Sequence, residues 1–260
     1  VLGVRDVGLF EHTVGMHADQ EVRDVLLKCN FWLFPALGHG QAFRGWARSF
    51  DRDSCAFVEA RRVAAARRGI GPHVELMIDA HASLETPVAI QIAKAVEQYN
   101  IAWFEEPVSP DNHAGMAEVR RATTIPIASG EREFSRYGFK SMLEHKAIDI
   151  AQPDVARAGG LTEIRRIAAL TQAHDIRLAP HAWGAGVLFA ASIHTAMASP
   201  NCHILEVSQG YMPMMNELFN EPYDIHDGFV HAPDKPGLGF TLRPDALERF
   251  KYVEGPEYAF

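Results

Sequence analysis

The chain is short of cysteine. Cys29, Cys55 and Cys202 are its three, scattered and without a CxxC pair. That excludes a zinc-finger or disulfide framework and points to a reducing compartment, so a cytoplasmic location is expected. Long apolar runs are missing too. No stretch approaches the roughly 18 uninterrupted apolar residues of a membrane span, and FWLFPALG at 31–38 is short and broken by Pro35. Positive charge is in deficit: the formal net charge is −8 and no basic stripe is present, which argues against a nucleic-acid surface. The densest basic run, RRVAAARR at 61–68, reads as the solvated face of a helix and its C-terminus, where cations suit the dipole. There is neither an initiator Met nor a signal-peptide pattern, so the chain is expected to begin inside a longer protein.

What is present is a repeat of strand ends. Six short apolar runs each close on an ionisable residue: VELMID at Asp79, IAWFE at Glu105, IPIASGE at Glu131, IDIAQPD at Asp154, IRLAPH at His181 and CHILE at Glu206. The shortest step between them is 23 residues, from 131 to 154, and the longest 27, from 154 to 181. A strand, turn, helix and return loop take about that much chain in a βα unit. Helical patterns fill the gaps: one after the Thr86-Pro87 start, others around 114–122 and 134–146, then LTEIRRIAALTQAHD and GAGVLFAASIHTAMAS. Alternation of this kind implies a parallel sheet, and its even repetition favours closure into a TIM-type barrel. The 260 residues suit one such domain. The predicted division is a barrel over 1–207 and a C-terminal extension over 208–260 packing outside it. Within the barrel, strand one is expected in VRDVGLF at 4–10, a helix over 17–28 and strand two in the irregular stretch 29–48.

Side chains at the C-terminal ends of barrel strands converge on one mouth. Asp79, Glu105 and Glu131 are oxygen donors on three successive strands, and unneutralised carboxylates so placed would repel and raise one another's pKa. A divalent ion resolves that conflict. All-oxygen ligation suits a hard cation, with Mg²⁺ the default and Mn²⁺ an alternative. The plain competing reading is that some of these residues only pair with arginine. Asp154 and His181 end adjacent strands. An Asp that accepts from one imidazole nitrogen fixes the tautomer and leaves the other nitrogen free to act as a base. His81, two residues after Asp79, is a candidate proton donor to a leaving hydroxyl or else a loop hydrogen-bonder. Glu206 is a candidate partner of a substrate carboxylate or hydroxyl, and Arg44 and Trp183 are candidate substrate-binding residues. Glu106, by strand alternation, is expected to point away from Glu105 and to be structural. A metal against a bound carboxylate, with a side-chain base beside it, equips a site to remove the proton α to that carboxylate.

These strings resemble the enolase superfamily in its mandelate racemase and muconate lactonizing branch: MIDAH at 77–81, WFEEP at 103–107, SGE at 129–131, QPDVARAGG at 152–160, PHAWG at 180–184, LEVS at 205–208 and PGLG at 236–239. The resemblance implies a (β/α)7β barrel, Asp79, Glu105 and Glu131 as metal ligands, a His181–Asp154 acid/base dyad and Glu206 near the substrate carboxylate. It also implies an N-terminal α+β capping domain, for which this chain shows no counterpart. The Lys-x-Lys that many relatives carry on strand two has none either: the region reads AFRGWARS, with Arg44 and Arg48 and no lysine between Lys28 and Lys94. Asp-x-His, where the family often has Asn, is similar to the acid-sugar dehydratases. The function implied is dehydration of a small sugar acid by a symmetric homo-oligomer. A lactone cycloisomerase or epimerase on the same scaffold is the alternative enzyme, and a non-catalytic metal-binding barrel the alternative of another class.

Overall fold

The structure, a computed structural model, describes residues 52–208, 212–252 and 254. The expectations for 4–10, 17–28 and 29–48, with Arg44 and Arg48, lie outside the described residues. The first element, α1 (Arg52–Ile70), carries the basic run. Its Arg67 is more than a solvated cation: the guanidinium donates to the carbonyls of Tyr99 (2.9 Å), Gly71 (2.9 Å), Val74 (2.7 Å) and Asn100 (2.8 Å). It ties the end of α1 to the chain entering β1 (Leu76–Asp79) and β2 (Ile101–Glu105).

The strands β1, β2, β3 (Ile127–Ser129), β4 (Ile150–Ala151) and β5 (Arg177–Leu178) pair in that order, all parallel. Leu178 bridges in parallel to Cys202, which continues the arc by one more chain crossing. Between strands run α2 (Thr86–Val96), α3 (His113–Ala122), α4 (Ser135–Glu144), the short α5 (Val155–Ala158), α6 (Leu161–Ala173) and, after β5, α7 (Gly186–Ala198). The helices predicted between Thr86 and Ser199 are all found. Thr86 is the first helical residue, with Glu85 at the N-cap and Pro87 in the first turn. The buried face of α2 is Ala89, Ile92, Ala93 and Val96, an i, i+3, i+4, i+7 set facing the sheet. Asn112 caps α3 by accepting from the Gly115 N–H at 2.9 Å.

The core has two layers. Leu76, Ile78, Phe104 and Ile127 face outward to the helices. A second cluster, Trp103, Ala128, Ile150, Ala179 and Ile204 with Met77 packed against it, collects side chains from β1 to β4 and from the chain just after β5 and after the Cys202 bridge, as the filled interior of a barrel does. After the barrel arc, α8 (Pro213–Asn216) leads to the hairpin of β6 (Asp224–His226) and β7 (Phe229–His231), and α9 (Ala246–Arg249) follows. Fully buried Val230 ties this hairpin to the main core. Tyr223 lies edge-on to Phe189 of α7 and to Phe240, and its hydroxyl donates to the Gly186 carbonyl at 3.1 Å.

Candidate active site

The interior cluster dictates where the polar residues go. Strand side chains alternate, so residues two apart share a face. Asp79 stands two beyond Met77, Glu105 two beyond Trp103, His181 two beyond Ala179 and Glu206 two beyond Ile204. Asp154 stands four beyond Ile150, with buried Gln152 between them. Each therefore continues an inward-facing row to or just past the C-terminal end of its strand. Glu131 breaks the parity, being three beyond Ala128. Gly130 makes up the difference with φ +135, a conformation L side chains rarely adopt.

Asp79 and Glu105 are register partners across β1 and β2. The Trp103 indole donates to Glu105 Oε2 at 3.0 Å, and Glu105 is otherwise deeply buried. Burial first, then the Asp79 charge, push its carboxyl well above the usual carboxylate range. Glu206 is also held up, to about 7, chiefly by burial and further by the charges of Glu131 and Asp79, against the opposing effects of His181 and the Ala182 amide. One of its oxygens accepts from the Ala182 N–H at 2.7 Å, and the other is buried with no hydrogen-bond partner.

His181 Nδ1 lies 2.8 Å from Asp154 Oδ2, and His181 Nε2 lies 3.4 Å from Glu131 Oε2. The second Asp154 oxygen accepts from the amides of Ala156 (2.7 Å) and Arg157 (2.9 Å), so the carboxylate caps α5 and orients the imidazole together. Burial acts to lower the His181 pKa, but the Asp154 hydrogen bond and the charges of Glu206, Glu131 and Asp154 outweigh it and hold it at about 8. Asp79, Glu105, Glu131, Glu206, His181 and Asp154 are thus linked in one electrostatic cluster.

Two residues enter that cluster unforeseen. Glu106, expected to face away, has φ +36, which ends the extended alternation immediately after β2. It is fully buried and accepts from Arg132 Nη1 at 2.7 Å, and its ligand atoms, with those of His81 and Glu131, lie within 4.8 Å of one another. Burial, then the charge of Glu131, hold its carboxyl at about 7. Arg132 also reaches Glu131 Oε1 (3.4 Å) and His81 Nε2 (2.7 Å). A guanidinium can only donate, and Arg132 Nη2 lies against both ring nitrogens of His81, Nε2 at 2.7 Å and Nδ1 at 3.1 Å, while Nδ1 is also 3.7 Å from Asp79 Oδ2. The neighbouring Asp79 carboxylate raises the His81 pKa, against burial and the Arg132 charge. The only sequence signal for Arg132 was its place directly after the SGE string. Trp183, two residues past His181, is exposed.

The chemistry of the donor set suits a hard divalent ion, with buried carboxylates in excess of their cationic partners and orphaned oxygens on Glu106 and Glu206; of the three expected ligands, Glu131 has its donor atom within 4.8 Å of others, those of Glu106 and His81, and Asp79 and Glu105 stand outside that group.

Residues 55–246 match the family model described as Enolase C-terminal domain-like. The chain belongs to this family. A D-galactarolactone cycloisomerase of Agrobacterium fabrum is 38% identical over 74% of the chain and 53% of the relative. A D-galactonate dehydratase family member of Streptomyces bingchenggensis is 34% identical over 83% of the chain and 53% of the relative. The solved mandelate racemase/muconate lactonizing enzyme of Jannaschia sp. CCS1 superposes with a TM-score of 0.73 at 37% identity, covering 78% of this chain and 52% of that one. The mandelate racemase branch of the enolase superfamily, expected from the motifs, is therefore this chain's own, and the parallel arc is part of an enolase C-terminal TIM-type barrel. The chain spans about half the length of the curated relatives it matches. Among the described residues of this enolase-like domain, no helix is long and apolar enough to cross a membrane.

Proposed function

We propose that this domain carries the acid/base machinery of a Mg²⁺-dependent acid-sugar dehydratase. The observation that carries the reading is the His181 imidazole, oriented at Nδ1 by Asp154 and aimed with Nε2 at Glu131 inside a mouth of buried carboxylates. Asp79, Glu105 and Glu131 would hold the ion, with Mn²⁺ as an alternative; when bound it supplies positive charge against the substrate carboxylate and the charge that grows there. His181 Nε2, neutral with its Nδ1 proton directed at Asp154, takes the Cα proton. The C–H electron pair forms the Cα–Cβ double bond, and the β-hydroxyl leaves as water after receiving a proton. His181 returns its acquired proton, or His81 donates one; the Arg132 contact at His81 Nε2 favours His181. The enol so formed tautomerises to a 2-keto-3-deoxy acid. Glu206, protonated near neutrality, is suited to hydrogen-bond a substrate carboxylate or hydroxyl. Trp183 offers an exposed aromatic face beside the base, and Arg44 is a further proposed substrate contact. The substrate is proposed to be a small sugar acid and the assembly a homo-oligomer in the cytoplasm, without nucleic-acid or membrane partners.

Incubation with Mg²⁺ and a panel of sugar acids, followed by a 2-keto acid assay, tests this. Activity that His181→Asn abolishes is expected; undiminished turnover in that variant would remove the histidine from its role. The similarity to a galactarolactone cycloisomerase supports a second reading, in which the same base opens or rearranges a lactone. Solvent-deuterium incorporation at Cα without loss of water would select it.

A further inference from the structure

We propose that the β6–β7 hairpin carries a second metal site, formed by Asp224, His226 and His231, for a borderline first-row ion of the Zn²⁺, Ni²⁺ or Cu²⁺ class. The backbone builds it. The strands pair with Asp224 opposite His231 and His226 opposite Phe229, closed by Asp227 and Gly228 at φ +53 and +75, the two-residue turn that left-handed residues permit. In such a pair, opposite residues and residues two apart share a face. Ile225 and Val230 therefore point one way, and Val230 is fully buried. Asp224, His226 and His231 point the other way. Their ligand atoms lie within 4.8 Å of one another; the two imidazoles are stacked with centroids 4.5 Å apart and 16° between planes, so one exposed ring turns for both in-plane lone pairs to meet on one ion.

The His226 ring is bracketed by acid. Its Nδ1 is 3.3 Å from Asp227 Oδ2, and its Nε2 is 3.3 Å from Asp224 Oδ1. With an ion at Nε2, the remaining Nδ1–H faces Asp227 and can donate to it. This is the arrangement in which an outer carboxylate orients a ligating imidazole, and a cation at Nε2 would sit beside the Asp224 carboxylate. Two imidazoles and one carboxylate on one face, with the opposite side open, suit a borderline ion and disfavour Mg²⁺, which selects oxygen. The site stands apart from the Mg²⁺ mouth in ligand chemistry as well as in sequence.

The test is Zn²⁺ titration of the protein in saturating Mg²⁺, by calorimetry. One Zn²⁺ equivalent that Mg²⁺ does not displace is expected. It should vanish in His226→Gln and in His231→Gln and weaken by roughly 10-fold or more in Asp227→Asn. Circular dichroism checks that the variants fold, and Cu²⁺ electron paramagnetic resonance on the unaltered protein gives a readout independent of them: hyperfine coupling to two imidazole nitrogens is expected. Absence of any Mg²⁺-insensitive equivalent, its persistence in both histidine variants, or copper coupled to no imidazole would overturn the proposal.

Discussion

Asp154 holds His181 and starts a helix with the same carboxylate: Oδ2 lies 2.8 Å from His181 Nδ1 while Oδ1 accepts the amides of Ala156 and Arg157. The two duties separate in substitutions. Asp154→Asn keeps an oxygen for the amides but loses the charge that offsets the cost of burying an imidazolium. The His181 titration, at about 8, is expected to move down by NMR, with catalysis falling by roughly 10²–10⁴. Asp154→Ala also removes the cap and costs about 1 kcal/mol more stability. An unmoved His181 midpoint in Asp154→Asn would detach the carboxylate from the base.

The same pair sets an acid limit. Burial acts to raise the Asp154 carboxyl, but hydrogen bonds from His181, Arg157 and Ala156 outweigh it, and the folded pKa lies below 3.8. Its stabilisation is present above that unfolded value and is lost as pH falls through the folded one.

The mouth carboxylates act in the opposite sense. Glu105 is raised well above 4.5, and Glu106 and Glu206 are each held at about 7, burial being the first cause for all three. The folded state then binds more protons than the unfolded chain between 4.5 and about 7, so without a divalent ion their contribution to stability falls as pH rises through that window. A Mg²⁺ ion held among them would favour the ionised forms. The rise in melting temperature it causes is expected to be larger at pH 8 than at pH 5 and to disappear in Glu105→Gln, which by itself stabilises the ion-free protein. Equal shifts at both pH values would place the ion elsewhere.

Arg67 should matter to folding and not to chemistry. Its guanidinium donates to four backbone carbonyls that join α1 to the entries of β1 and β2. Arg67→Met is expected to cost about 2 kcal/mol, allowing for its partial exposure, with Mg²⁺ affinity unchanged once folded. Urea denaturation checks the first part, and a lost Mg²⁺ response in folded protein would contradict the second.

Gly130 and Gly71 make a matched pair. A Cβ on Gly130 would lie 2.7 Å from Phe139 Cε1 and 3.2 Å from the Gln152 amide nitrogen, at φ +135. One on Gly71, at φ +74, would meet nothing within 4 Å. Gly71→Ala is expected to cost roughly 1 kcal/mol in backbone strain, and Gly130→Ala roughly 2–4 kcal/mol, with weaker Mg²⁺ binding because Glu131 moves. Similar losses in the two variants would show that the clash at Gly130 is relieved cheaply.

The arc of parallel strands was legible because each apolar run ends in one ionisable residue, and the period-two rule places that residue above an inward-facing neighbour. This holds for Asp79 over Met77, Glu105 over Trp103 and Glu206 over Ile204. The same rule misled at Glu106, where a positive φ reverses the side chain, and it gave no warning of Arg132. Local alternation describes a strand only while the strand lasts.

The order of acid and base around the mouth, and the βα spacing that brings it there, were determined by the sequence alone, since both follow from short-range periodicity repeated along the chain. Tertiary structure alone decided that Arg132 joins Glu106, Glu131 and His81, that Gly130 swings Glu131 toward His181, and that Val230 anchors one face of a hairpin while two histidines line the other. Those outcomes depend on which side chains meet across two or more elements, where packing and the cost of burying charge, not local pattern, select the partner.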